Sequence, residues 1–141
     1  MKTWAVYDSA GRINVFRCNH QTALLQVGPG LALHPTPVGE GVSDATHYFT
    51  GATVAPRPSL PAPAAAIAVG SELVLHPLPV GADWEIYDVT DPELPPALTD
   101  AKGFITLGRT LREVMEEPGR FRLDVSPPFP WRKGSWIVEV F

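Results

Sequence analysis

Five side chains in this sequence offer the imidazole or thiol donors that zinc favours: Cys18, His20, His34, His47 and His76. Cys18 and His20 are two positions apart, and a strand would set both on one face. A zinc site needs three or four convergent ligands. His34 and His76 occupy equivalent places in a repeated phrase, and would meet only if their strands were neighbours. Each also precedes a proline, which holds the backbone extended. The simpler reading is a ring that caps a strand end, so no metal and no cofactor is expected.

Carboxylates occur at Asp88, Asp91 and Asp100, and again at Glu113, Glu116 and Glu117. Glycoside hydrolysis needs two of them flanking a sugar across a cleft. A fold this small leaves little room for such a cleft, and the three glutamates read as the solvated side of a helical turn. Ser9, Ser43, Ser59, Ser71, Ser126 and Ser135 fall at turns or strand ends, outside any Gly-x-Ser-x-Gly elbow. There is no phosphate loop and no dinucleotide fingerprint. No catalytic residue is assigned, and the chain is expected not to be an enzyme.

One segment has the makings of an interface. Pro127-Pro128-Phe129-Pro130-Trp131-Arg132-Lys133-Gly134 sets Phe129, Trp131, Arg132 and Lys133 on a proline-stiffened loop. A stiff loop loses little entropy on docking, and Trp and Arg are favoured anchors. Trp131 either stays exposed as such an anchor or folds back to cap the core.

These residues must be positioned by many short elements. The chain has 141 residues, enough for one ordinary domain or two very small ones. Its 16 Pro and 12 Gly exceed average usage, while an apolar fraction of 45% is ordinary for a folded protein. The excess therefore punctuates elements and does not prevent folding. With net charge −4 and basic residues interleaved with acidic ones at 109–122, no phosphate-tracking face is expected, hence no nucleic-acid partner. A lone cysteine excludes an intrachain disulfide. The opening Lys2-Thr3-Trp4-Ala5-Val6-Tyr7 lacks the apolar core of a signal peptide, so synthesis and assembly in a cytoplasm are expected. The most apolar stretch, 62–69, is too short to cross a bilayer.

Residues 4–7 and 13–18 read as a hairpin across the Asp8-Ser9-Ala10-Gly11 turn. Residues 20–26 predict one or two helical turns, with Asn19 as N-cap. Short strands follow at 31–34, 46–49 and 52–55. Residues 56–63 then carry four prolines, which favour an extended polyproline rod over a sheet ladder, read as a spacer between modules or else as a proline-rich connection packed on one domain. The predicted organisation is an N-terminal β module over 1–55, a semi-rigid spacer over 56–64 and a second module over 65–141.

In that second module, strands are expected at 65–69, 72–76, 83–89, 104–107, 120–125 and 135–140, with a turn at 100–103. Thr110-Leu111-Arg112-Glu113 has the Thr-x-x-Glu form of a capping box, predicting a short helical turn over 111–117. Leu73, Leu75, Trp84, Ile86, Phe121, Leu123, Val125, Trp136 and Val138 form the expected core. The fold class is therefore all-β: a small N-terminal module joined to a C-terminal immunoglobulin-like antiparallel β-sandwich with one short helical turn.

A phrase recurs within this pattern. Residues 27–39 return as 69–81, with nine of thirteen positions identical. The flanks differ, and two copies do not make a solenoid. The shared Leu-x-Leu-His-Pro-x-Pro-Val-Gly reads as one structural solution used twice: a strand ended by prolines, then a glycine turn.

The order of the pieces adds a resemblance. It runs from the aromatic opening strand with its Gly11-Arg12 turn through Leu25-Gln26-Val27-Gly28-Pro29-Gly30, Val42-Ser43-Asp44-Ala45-Thr46-His47-Tyr48 and Pro56-Arg57-Pro58. It continues with Val80-Gly81-Ala82-Asp83-Trp84-Glu85-Ile86-Tyr87, Leu98-Thr99-Asp100-Ala101-Lys102-Gly103, Glu117-Pro118-Gly119-Arg120-Phe121-Arg122-Leu123 and Pro127-Pro128-Phe129-Pro130. Over nearly its whole length the chain resembles short tailed-bacteriophage proteins associated with tail, tail-fibre or baseplate genes. It departs from that pattern at Phe121, where a tyrosine is usual, and in the longer stretch 109–117.

The resemblance implies a non-enzymatic structural component of a virion tail, made in the host cytoplasm. Its partners would be other tail proteins, in multiple copies of a symmetric assembly, without membrane insertion. Two alternatives go with it: a module binding a host receptor or surface glycan through the Trp131 loop, and a transient chaperone of fibre assembly.

Overall fold

The computed structural model describes the whole chain, Met1–Phe141, as twelve strands and one five-residue helix. The fold is mostly β, and the chain divides into two compact units, Met1–Pro58 and Ser59–Phe141. Pro56 and Arg57, the first residues of the proline-rich stretch, therefore lie in the first unit.

The first unit opens with β1 (Lys2–Asp8) and β2 (Ile13–Cys18), antiparallel from Lys2↔Cys18 to Tyr7↔Ile13. Asp8 closes the turn by accepting the N–H groups of Ala10 and Arg12, at 2.9 and 3.0 Å. Gly11 there takes a φ of 91°, which a side chain would resist. Helix α1 (His20–Leu24) follows, with the Asn19 side chain accepting from the Thr22 N–H at 2.8 Å. β3 (Leu31–Leu33) returns to the other edge of β1, giving the order β2-β1-β3. Thr3, Trp4, Ala5 and Val6 are all buried. Successive strand side chains point to opposite faces, so β1 is covered on both.

β4 (His47–Phe49) and β5 (Val54–Pro56) form a second, two-stranded sheet. Phe49 stacks on Tyr7 with ring centroids 3.7 Å apart, which ties this hairpin to β1. Asp44 is the other tie. Its carboxylate accepts from Arg12 at 3.1 Å and from the Ile13 N–H at 3.3 Å, and it pairs with Arg57 at 3.2 Å. Arg57 also donates its backbone N–H to Thr46 O at 2.8 Å.

The second unit contains β6 (Ala66–Ile67), β7 (Glu72–Leu75), β8 (Asp83–Asp88), β9 (Ala97–Phe104), β10 (Leu111–Val114), β11 (Gly119–Ser126) and β12 (Gly134–Val140). Five of them form a sheet in the order β6-β12-β11-β8-β9, and β10 pairs with β7 in a sheet of two. Leu73, Leu75 and Leu111 from the small sheet share one core with Trp84, Ile86, Phe121, Leu123, Val125, Val138 and Val140 from the large one. Leu78 is fully enclosed in the same core. Each such side chain contributes about 1.5–3 kcal/mol by leaving water. Eight of the nine expected core residues are buried; Trp136 is partly exposed and packs against the others.

Three details correct the sequence reading. Residues 111–114 are strand β10, laddered to β7 from Leu111↔Leu75 to Val114↔Glu72, not a helical turn; the helix of the chain is α1, in the first unit. The expected turn at 100–103 lies inside β9, and 105–107 fall outside any strand. The second unit is also not wholly antiparallel, because β6 pairs parallel to β12.

The outer face of the five-stranded sheet as candidate functional site

Strand pairing builds the site. Trp84 and Ile86 of β8, and Phe121, Leu123 and Val125 of β11, turn inward to the core. Alternation then sends Asp83, Glu85 and Tyr87, and Arg122, Asp124 and Ser126, to the opposite face. The register places Tyr87 across from Arg122 and Glu85 across from Asp124. On the flanks, Lys102 of β9 lies across from Glu85, and Ser135 of β12 across from Asp124.

These neighbours form one connected network. The Tyr87 hydroxyl donates to Glu85 at 2.7 Å. The Arg122 guanidinium carbon stands 4.7 Å from the Tyr87 ring centroid, and its Nε donates to Asp124 at 3.0 and 3.2 Å. Ser135 donates to the same carboxylate at 2.7 Å. The hydrogen bond to Glu85, then desolvation, then the charges of Glu85 and Asp124 raise the Tyr87 phenol above its ordinary value, against the opposing pull of Arg122. Each member is held by at least one other.

Two shallow depressions open on this face. The larger, about 590 Å³, is lined by Asp83, Trp84, Glu85, Lys102, Gly103, Phe104, Asp124 and Ser126. The smaller, about 320 Å³, shares Asp124 and Ser126 and continues to Lys133 and Ser135. Together they make a groove across four strands, about 14 Å wide at the usual strand spacing. Exposed apolar side chains share the face: Phe104 at 59%, Leu98, across from Tyr87, at 52%, and Ile137, across from Arg122, at 37%.

Of the predicted interface residues, Lys133 lines this groove. Arg132 beside it is exposed, while Phe129 and Trp131 are half-buried. The loop is closed by a backbone bond from Trp131 N–H to Pro128 O at 3.1 Å. In the sequence, these sheet-face residues are alternate positions of two strands and carry no motif. The available signal was a Tyr and an Arg among those outward positions, two side chains that interfaces favour.

The histidines do not converge with Cys18. No group of three or more His, Cys, Asp or Glu side chains is placed to hold a metal ion. His20 begins α1 and packs against Trp4, ring centroids 4.8 Å apart. His34 is buried with Nδ1 2.8 Å from Thr36 O. His47 lines the same small depression as His34, and its Nδ1 lies 2.7 Å from Thr46 Oγ1. In the second unit, the exposed His76 sets Nδ1 2.7 Å from Thr110 Oγ1.

Comparisons with protein families, with curated proteins and with solved structures gave no match to this chain.

Proposed function

We propose that this protein is a non-enzymatic structural component of a tailed-phage virion, placed in the tail, baseplate or fibre attachment, and that it acts by packing against other proteins. The observation that carries this reading is the connected Tyr87–Arg122–Asp124 cluster. It sits on a sheet face shared with exposed Leu98, Phe104 and Ile137. Aromatic and Arg side chains in a rigid setting, with apolar neighbours and a polar margin, are the anatomy of a protein-docking surface. The resemblance in element order supplies the virion context.

The finer fold reading belongs with it. A five-stranded sheet β6-β12-β11-β8-β9, sharing a core with β7-β10, supports an immunoglobulin-like sandwich for the second unit. The parallel β6–β12 pairing fits that arrangement. Such a module offers a stiff, broad sheet face for subunit contacts, and the smaller first unit gains from partner surfaces because it buries a limited core.

Mass spectrometry of purified particles from the encoding phage, with and without fibres, tests the proposal. The chain should be recovered in stoichiometric amount from whole tails. Its absence from purified tails, with recovery only from the unassembled lysate, would overturn a structural role and favour an assembly chaperone.

A further inference from the structure

We propose that the groove on the outer sheet face receives the Arg132–Lys133 loop of a second copy of this chain, so that two copies dock reciprocally. The inference goes beyond the virion reading and does not depend on it.

Charge is the first argument. The second unit carries seven Lys and Arg against twelve Asp and Glu. Two such units repel unless cations of one meet carboxylates of the other. Arg112, Arg120 and Arg122 are already engaged, by Glu72, Glu139 and Asp124. Arg132 and Lys133 are adjacent, exposed and outside every ion pair of the chain.

The groove has the complementary chemistry. In its larger depression, Asp83, Glu85 and Asp124 face the single cation Lys102, and Phe104 stands exposed at the wall. A guanidinium set over the Phe104 ring gains a cation–π contact while donating to Asp83. No ion pair of the chain occupies Asp83.

Placement supplies the third argument. Lys133 lines the smaller depression, which shares Asp124 and Ser126 with the larger one. Loop and groove therefore lie side by side on one face. A two-fold axis passing near Ser126 would carry each copy's loop onto the other's groove, the self-complementary arrangement of a two-fold dimer. The loop is stiffened by Pro127, Pro128 and Pro130 and closed by the Trp131–Pro128 bond, so docking orders little new backbone.

Size-exclusion chromatography with light scattering, on the full chain, tests this. The wild type should dimerise at about 50 mM salt and dissociate toward about 500 mM, because screening shortens the reach of the charges. Asp83→Lys and Arg132→Glu should each weaken the dimer by about tenfold or more, while an equimolar mixture of the two variants restores it, since each reversed charge then meets its opposite. Unfolding midpoints of both variants should match wild type; if one shifts, Asp83→Asn and Arg132→Gln are read instead, each weakening the dimer about fivefold. A wild type that stays monomeric at low salt overturns the proposal. So do reversed variants that dimerise like wild type, or a mixture that gives no recovery.

Discussion

The Arg122 guanidinium carbon stands over the Tyr87 ring, 4.7 Å from its centroid, directly across the β8–β11 ladder. Neither residue serves the core. Both face outward, and each is held by a second partner: Tyr87 by Glu85 and Arg122 by Asp124. Exposed ion pairs of this kind contribute about 0–1 kcal/mol to stability.

The Tyr87 phenol should ionise above the ordinary tyrosine range, and Glu85→Gln should bring it down, because the bond to Glu85 is the largest cause of the shift. The sign for stability follows. A folded-state value raised above the unfolded one, about 10, gives a contribution that is complete below pH 10 and lost as pH rises through the folded value. Ultraviolet titration of wild type against Tyr87→Phe reads the phenolate directly. Ionisation at or below the free-tyrosine value would refute the assignment.

Trp4 is buried, yet its indole N–H meets no acceptor. An unsatisfied buried donor costs about 1–3 kcal/mol. Trp4→Phe removes that donor while losing some packing, so its stability should stay within about 1 kcal/mol of wild type, well short of the loss expected for a large-to-small core change. Urea unfolding measures it; a loss above about 2 kcal/mol would mean that the N–H is satisfied after all.

The repeated phrase makes an internal comparison. Leu73 and Leu75 of the second copy are buried and His76 is exposed; in the first copy Leu31 and Leu33 are only half-buried and His34 is buried. Leu73→Ala should cost about 2–5 kcal/mol and Leu31→Ala less than about 1.5. Hydrogen exchange within each unit separates the two effects. Equal losses would contradict the difference in burial.

Gly103 has no room for a side chain. A Cβ there would stand 2.7–2.8 Å from the Trp84 indole, inside any real contact distance. Gly103→Ala should destabilise the second unit by about 1–3 kcal/mol, as overpacking does, and the indole fluorescence should change as Trp84 is displaced. An unchanged spectrum and melting curve would show that Trp84 yields freely.

Local signals made much of the fold legible. The Gly11 turn announced the first hairpin, Asn19 the helix start, and strict alternation at 120–125 and 135–140 gave the core face. What failed was non-local. Leu111 and Met115 are both buried at a helical spacing of four, and Thr110-x-x-Glu113 imitates a cap; pairing with β7, some forty residues earlier, decides for strand. Asp100-Ala101-Lys102-Gly103 has turn composition, but its glycine is there to clear Trp84 on the neighbouring strand. The parallel direction of β6 has no signature in two residues. The loop half of the candidate site was visible as a motif; the sheet-face half needed the register between β8, β9, β11 and β12.

The Arg57 side chain has a practical consequence for dissecting the protein. Because its backbone and guanidinium both fasten to residues 44–47, and Pro56 closes the β4–β5 ladder, a fragment ended at Ala55 would shed its own clasp. The natural place to sever the gene for separate expression of the halves is between Pro58 and Ser59, where each piece keeps the contacts that close it.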